Sequence, residues 1–236
     1  MAREVAIKFR GFPQEVWFLI AEQVANSDER STLSTLLLLA RLNNAMACFA
    51  LPLVYGIPYG PRPDKLSHRL YKYVRADKQS VSFWRSIIVS SLGRTIYPYC
   101  CWINKLDFYD LFWFLGEMIG SKDAHLRQRF YSPPLRYLEL LKTEIPEYGY
   151  NLFCEVVSKI TEGIKATIDQ GRVTSRLAEV RWMNVLGGFN SLPTGQFGVW
   201  NSRFTGLRSF YIHDMGLLNE QASVAISRNC PCLKQL

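Results

Sequence analysis

Cysteine and histidine are scarce in this chain of 236 residues, which contains six cysteines and three histidines. The cysteines are scattered, so they do not form the dense pattern of a disulfide-stabilised secreted domain. Cys230 and Cys232 lack a second cysteine or histidine pair at the spacing that a zinc site requires. The histidines, His68, His125 and His213, are isolated from one another. The sequence therefore predicts free thiols and no metal site.

Long hydrophobic runs are also missing. The longest purely aliphatic run extends from Leu36 to Ala40, whereas a membrane-spanning helix needs about 20 apolar residues. The first ten residues contain four charged side chains, in the region where a signal peptide would be apolar. We therefore expect an intracellular protein, in the cytoplasm or the nucleus, with no membrane partner.

Catalytic motifs are absent as well. No G-x-G-x-x-G or P-loop signature follows any predicted strand, and no motif links a nucleophile to a base. The composition, 48% hydrophobic and 14% aromatic, is that of a folded domain. The sequence thus predicts a folded protein that is not an enzyme and that uses no cofactor.

Positive charge exceeds negative charge, giving a formal net charge of +8 at pH 7. Residues 62–85 contribute +5 of this excess, from seven basic and two acidic residues. Lys65, Arg69 and Lys72 share one face of a predicted helix there, which is typical of a solvated helix surface or of a phosphate-binding face. No nucleic-acid-binding signature accompanies this stretch. The solvated surface is the preferred interpretation, and a nucleic-acid-associated binding module is the alternative.

Three helices are predicted in the first 60 residues. The first has one apolar residue every four positions: Phe12, Val16, Ile20 and Val24. The second covers about 31–46 and is apolar over more than half its circumference, so part of its surface is expected to face a partner. A short third helix follows, interrupted near Pro52, and the glycines and prolines of 56–63 mark a boundary.

Four segments of the second half share the pattern apolar-x-x-apolar-x-apolar, in which x is any residue. These segments, 103–108, 135–140, 177–182 and 207–212, are predicted to be short strands. Helices are predicted between them, and the clearest covers 150–169.

The last strand pattern recurs at a fixed distance. Leu207 and Phe210 are each followed 26 residues later by a leucine, which is the spacing of a leucine-rich repeat. Asn229 is expected to satisfy backbone groups at the turn after the intervening helix, with Cys230 as a small apolar residue beside it. The successive distances between the starts of the four strand segments are 32, 42 and 30 residues, which is longer than such a repeat. An unrelated α/β arrangement with coincidental leucine pairs is therefore the alternative.

The first part of the chain resembles an F-box. That family opens with Leu-Pro-x-Glu followed by Ile or Leu, and this sequence has Phe12-Pro13-Gln14-Glu15-Val16. Residues 33–42 match the leucine-rich middle of the family, and residues 50–55, Ala-Leu-Pro-Leu-Val-Tyr, are similar to the ending of fungal F-boxes. Asn43-Asn44 departs from the family, in which an Arg followed by an aromatic residue is common. The resemblance covers residues 11–57.

The last part of the chain, 207–236, resembles the cysteine-containing leucine-rich repeat, whose helix ends in Asn-Cys-Pro-x-Leu. Together the two resemblances are those of a fungal F-box/leucine-rich-repeat protein. They imply an α/β fold in which a three-helix F-box precedes an irregular leucine-rich-repeat solenoid, truncated at the C-terminus. The implied domains are an F-box at 1–60, a basic helical linker at 61–100 and a repeat region with an incomplete last repeat at 101–236.

The resemblance implies a substrate-recognition adaptor of an SCF-type cullin–RING ubiquitin ligase. The F-box would bind a Skp-type adaptor, and through it a cullin scaffold, while the repeats bind an unknown protein substrate. A relative that does not assemble a ligase is the alternative.

Two sets of contact residues follow from this resemblance. The apolar residues expected to contact the Skp-type adaptor are Phe12, Pro13, Val16, Ile20, Leu36 and Leu39. Exposed strand positions alternate with buried ones, and those expected to contact a substrate are Asp107, Glu139, Arg181, Arg208 and Tyr211.

Overall fold

The computed structural model of the chain describes residues 14–26, 32–56, 78–140, 150–171, 175–182, 194–212 and 220–234. Internal contacts divide the chain into two units, Met1–Ile57 and Pro58–Leu236. We call them the first unit and the second unit and describe each by itself.

The first unit contains three helices, α1 (Gln14–Ala25), α2 (Thr32–Ala40) and α3 (Asn44–Gly56). Asn43 caps α3, because its side-chain Oδ1 accepts a hydrogen bond of 2.8 Å from the backbone N–H of Met46. Helix α3 continues through Pro52, where the sequence predicted an interruption. That prediction is wrong, and Pro52 is buried within the helix.

The core of the first unit is made of small and medium side chains. Ala21, Leu36 and Ala50 are almost completely buried, one from each helix. Partly buried apolar residues surround them: Val24, Ala25, Leu39, Ala40, Leu53 and Val54. Because the helices are short, this interior is small and leaves much apolar surface outside it.

The second unit contains eight described helices and three strands. The helices are α4 (Lys78–Ser91), α5 (Tyr99–Trp102), α6 (Phe108–Gly120), α7 (Ala124–Tyr131), α8 (Arg136–Leu140), α9 (Tyr150–Asp169), α10 (Thr194–Asn201) and α11 (Glu220–Asn229). The strands are β1 (Lys105–Asp107), β2 (Glu179–Trp182) and β3 (Ser209–Ile212).

The strands form one parallel sheet in the order β1-β2-β3. The register aligns Leu106 with Val180 and Val180 with Phe210, and all three side chains are buried. Three of the four predicted strand segments, 103–108, 177–182 and 207–212, therefore contain strands, with their central apolar residues in register.

The predicted fold class, an α/β chain with a leucine-rich-repeat solenoid, is wrong. The described residues are mostly helical and their sheet has only three short strands. Residues 136–140, predicted to be strand, form helix α8, because the three-residue spacing of the buried Leu135 and Leu138 suits one face of a helix. Four helices, α6 to α9, lie between β1 and β2, which is far more chain than one repeat holds.

An aromatic core joins the sheet to helices α6, α9 and α10. The Trp182 ring stacks on Phe108 with centroids 4.0 Å apart and lies parallel to Trp200 at 5.6 Å. Both indoles have polar partners, since Trp182 Nε1 donates to Asn201 Oδ1 at 3.3 Å and Trp200 Nε1 donates to Ser158 Oγ at 2.9 Å. The buried tryptophans are thus satisfied as well as packed.

Helix α4 belongs to the core of the second unit, although residues 61–100 were expected to be a linker. Val81, Ile87 and Ile88 are fully buried. The helix approaches α9 closely at Gly163, where an added Cβ would lie 2.3 Å from the carbonyl oxygen of Ser91. Only a glycine allows this approach. The rest of the boundary and the basic stretch, residues 57–77, lies outside the described residues.

The turn that follows α11 is tied to the segment that follows α10, rather than held by Asn229 bonding within the turn as predicted. Asn229 Nδ2 donates a hydrogen bond of 3.0 Å to the carbonyl oxygen of Ser202. Cys230 is buried, and its thiol lies 3.7 Å from the carbonyl oxygen of Phe204. The backbone N–H of Lys234 then donates to the carbonyl oxygen of Arg208 at 2.8 Å.

Candidate site on the charged face of the sheet

The two faces of the sheet differ in polarity, because side chains alternate along each strand. Leu106, Val180 and Phe210 fill the buried face. The opposite face, which we call the charged face, has two rows set by the register. One row contains Lys105, Glu179 and Ser209, and the other contains Asp107, Arg181 and Tyr211.

The second row brings together three of the five residues predicted to contact a substrate. Arg181 Nε lies 3.7 Å from Asp107 Oδ2, and the Arg181 guanidinium carbon lies 5.4 Å from the centre of the Tyr211 ring. This second contact is a cation–π interaction. The Tyr211 residue is 37% exposed, so an aromatic surface, backed by a fixed cation, faces outward.

The first row continues the network. Lys105 Nζ lies 3.0 Å from Glu179 Oε1, and Arg181 Nη2 lies 3.7 Å from the same oxygen. Each of these side chains is less than a third exposed, so the ion pairs are shielded more than ordinary surface pairs. The network orients Arg181 under Tyr211. Simple alternation along the predicted strands would have identified Lys105 and Glu179 as well.

Two carboxyl groups meet where β1 runs into α6. Asp107 caps α6, with its Oδ1 accepting from the backbone N–H of Tyr109 at 3.1 Å and of Asp110 at 3.3 Å. Burial raises the pKa of Asp107, against the opposing effects of Arg181 and these hydrogen bonds. Burial, and then the charge of Asp107, raises the pKa of Asp110 to about 7.

The other two predicted substrate contacts lie outside these rows. Glu139 is on α8, where its carboxylate pairs with Arg127 at 3.4 Å. Glu139 was expected at an exposed position of a strand, but it lies on a helix outside the sheet. Arg208 is exposed but precedes β3. Its backbone N–H donates to the carbonyl oxygen of Ala178 at 2.8 Å, so it marks the entry to the strand.

The residues predicted to contact a Skp-type adaptor are divided between the surface and the core of the first unit. Ile20 is exposed and Val16 is half-buried. Leu36 is fully buried, and Leu39 packs partly against the same core. Leu36 is therefore a core residue that a partner cannot reach in this structure. Phe12 and Pro13 lie outside the described residues.

Sequence reasoning missed most of the exposed apolar side chains of the first unit. On α1 and α2, Leu19 is 60% exposed and Leu38 is 62% exposed. Further exposed apolar residues lie near them in the sequence: Phe18, Leu37 and Leu42. The apolar face predicted for α1, with one residue every four positions, differs from the face that is buried, because Ala21 is buried and Ile20 is exposed.

Metal-ligand clusters and membrane-spanning helices are both missing from the part of the chain that the structure describes. Within it, no group of three or more His, Cys, Asp or Glu side chains could hold a metal ion. Within the same residues, every helix is too short or too polar to cross a membrane.

Comparison with known proteins found no matching family model, no matching curated protein and no matching solved structure.

Proposed function

We propose that this chain is a substrate-recognition adaptor of an SCF-type cullin–RING ubiquitin ligase. The first unit would bind a Skp-type adaptor, and the second unit would bind a protein substrate at the charged face. Such a protein performs no chemistry. It holds the target near the enzyme that does, which raises the effective concentration of the target.

The observation that carries the proposal is a set of exposed apolar side chains on α1 and α2, which we call the leucine surface: Phe18, Leu19, Ile20, Leu37 and Leu38. Leu19 on α1 and Leu38 on α2 are each more than half exposed, although both belong to helices that contribute to a core. Exposed apolar surface of this kind is typical of an interface, because water leaves it when a partner binds. The resemblance of residues 11–57 to an F-box supplies the identity of the partner.

Tyr211 and Arg181 support the second half of the proposal. Tyrosine and arginine, together with tryptophan, are enriched among the side chains that dominate binding energy in protein interfaces. The ion pairs of Arg181 with Asp107 and Glu179 hold this pair in place before a substrate arrives, which lowers the entropy cost of binding.

A pull-down of the full chain by a Skp-type adaptor tests the proposal. The variant carrying both Leu19→Asp and Leu38→Asp should bind at least about tenfold more weakly, because two charges would enter an apolar contact. Leu140→Asp is the matched control, since Leu140 is also an exposed leucine and lies in the second unit. Undiminished binding by the double variant would rule out this surface as the adaptor site.

A relative that does not assemble a ligase would behave differently in one respect. It would bind the Skp-type adaptor without retaining a cullin, so the same pull-down should be probed for both proteins. Recovery of the adaptor alone would limit the proposal to an F-box-like interaction protein.

A further inference from the structure

Three aromatic rings meet where the chain passes from α4 into α5. Tyr97 lies before α5, Tyr99 begins that helix and Trp102 ends it. The ring centroids are 6.0 Å apart for Tyr97 and Tyr99, 5.7 Å apart for Tyr97 and Trp102, and 5.6 Å apart for Tyr99 and Trp102. Each ring therefore packs against the other two. We call these three residues the aromatic corner.

The orientations of the rings give the corner two walls. The planes of Tyr97 and Trp102 differ by 35°, so these two rings form one wall. The plane of Tyr99 lies at 85° to Trp102 and at 63° to Tyr97, so Tyr99 forms the other wall. Both tyrosines are half-buried and Trp102 is buried, so solvent reaches the corner past the tyrosines and the indole lies at its base.

The backbone that carries the corner is held by hydrogen bonds. The carbonyl oxygen of Tyr97 accepts from Thr95 Oγ1 at 2.6 Å and from the backbone N–H of Tyr99 at 3.0 Å. The backbone N–H of Cys101 donates to the carbonyl oxygen of Pro98 at 2.9 Å, and the proline ring restricts the chain between the two tyrosines. The rings are therefore positioned before a ligand binds, which lowers the entropy cost of binding.

The spacing of the rings suits a single cation. The face of an aromatic ring carries partial negative charge and attracts a cation, most strongly in tryptophan. Because the three centroids are so close together, a cation about 3 Å above the plane through them would lie about 4.5 Å from each, within the limit of about 6 Å for a cation–π interaction. One cation could thus contact all three rings.

The corner attracts a cation through ring faces and not through a negative charge of its own. Burial, and then the neighbouring Tyr97, raises the pKa of Tyr99, so the Tyr99 phenol is neutral at pH 7. A lysine ammonium is strongly hydrated and donates three hydrogen bonds, which ring faces replace poorly. A trimethylammonium group has the same charge and no N–H groups, so it loses less when water leaves it.

We propose that the aromatic corner binds a quaternary trimethylammonium group. That group has the same chemistry in a trimethylated lysine side chain of a protein and in a small molecule of the choline type. The inference is independent of the proposed adaptor function, since neither the leucine surface nor the charged face contributes to the corner.

An NMR titration of the full chain, labelled with ¹⁵N at its tryptophans, tests this inference through the indole N–H signals. Two probes carry the group: choline chloride, and the capped peptide Gly-Lys-Gly with its lysine trimethylated. The same peptide with an unmodified lysine is one control, and a neutral form in which carbon replaces the quaternary nitrogen is the other. We expect both controls to bind at least about tenfold more weakly than a trimethylammonium probe, because they lack either the weak hydration or the charge.

The choice between the probes identifies the source of the group. Binding of the trimethylated peptide alone would support the inference with a protein ligand, and binding of choline alone would support it with a small-molecule ligand. Failure of both probes to bind would overturn the inference. Equal affinity for the neutral form would also overturn it, in favour of a merely apolar surface.

Two variants locate the site. Tyr99→Leu and Tyr97→Leu each remove a ring face while keeping an apolar side chain, and each should weaken binding at least about fivefold. Tyr137→Leu is the matched control, since Tyr137 is an exposed tyrosine on α8. Trp102 is left unchanged because it is buried. Affinities of both corner variants equal to that of the wild type would overturn the assignment to the corner.

Discussion

The first unit buries Ala21, Leu36 and Ala50 and leaves Leu19 and Leu38 exposed, whereas the second unit buries large aromatic rings such as Trp182. The first unit is too short to enclose all its leucines. The second unit encloses a large aromatic core, although Ile96 and Leu140 are exposed, and it places paired charges on one face of its sheet. The proposed function therefore assigns apolar burial to partner binding by the first unit, and oriented charge and aromatic contact to partner binding by the second.

Removal of the central aromatic ring of the second unit should have the largest effect on stability. Trp182→Ala would remove the indole that stacks on both Phe108 and Trp200, and it would leave the Asn201 side-chain oxygen without its hydrogen-bond donor. We expect a loss of about 3–5 kcal/mol in the free energy of unfolding. Urea denaturation followed by near-ultraviolet circular dichroism measures it, and a loss below about 1 kcal/mol would contradict the described core.

Leu36 and Leu38 offer a matched pair within the first unit. Leu36→Ala should destabilise the unit by about 2–3 kcal/mol, because it leaves a cavity between the three helices. Leu38→Ala removes an exposed side chain and should change stability by less than about 0.5 kcal/mol. Hydrogen exchange of amides in α2 and α3, read by mass spectrometry, distinguishes them. Similar exchange in both variants would contradict the assignment of Leu36 to the core.

The same pair shows what sequence reasoning could predict. Three helices in the first unit were predicted from the apolar period and are present, because a helix of leucines needs no tertiary information to be recognised. Which leucine faces inward depends on how the helices pack, and a uniformly apolar helix gives no indication of its inner face. Leu36 was therefore assigned to a partner, and Leu38 was missed.

The second unit was predictable only where strands were short and regular. The register of Leu106, Val180 and Phe210 follows from the apolar pattern, and it places Asp107, Arg181 and Tyr211 in one row. The segment 135–140 has a similar pattern and is helical. Sequence also gave no sign that Arg129 lies beside Ser82, since these residues are distant in the chain and meet only through packing.

Two glycine-to-alanine substitutions test the packing of the second unit, with smaller expected effects on stability. Gly163→Ala should destabilise the protein by about 1–3 kcal/mol, because its Cβ would overlap the backbone of Ser91. Gly116→Ala on α6 has open space around the added carbon and should stabilise the helix by up to about 1 kcal/mol. Thermal unfolding of both variants gives the comparison, and a shift in the same direction for both would contradict the close approach of α4 and α9.

The pH dependence of stability sharpens the account of the charged face. Asp110 has its pKa raised to about 7 in the folded protein, while an unfolded aspartate titrates near 4. The folded state therefore binds more protons between these values, and stability should fall as pH rises from about 4 to about 7. We expect about 1 kcal/mol from this group, because solvent screens a partly exposed carboxyl. Asp110→Asn should remove that part of the slope, and an unchanged slope would contradict its raised pKa.

Titration of the full chain with a Skp-type adaptor at low and at high salt tests the central claim most directly. Apolar contacts are not weakened by salt, whereas exposed charge pairs are screened. The proposed leucine surface predicts binding whose affinity changes less than about twofold between the two conditions. Absence of binding, or an affinity that falls steeply with added salt, would contradict the assignment of the first unit as an apolar docking site.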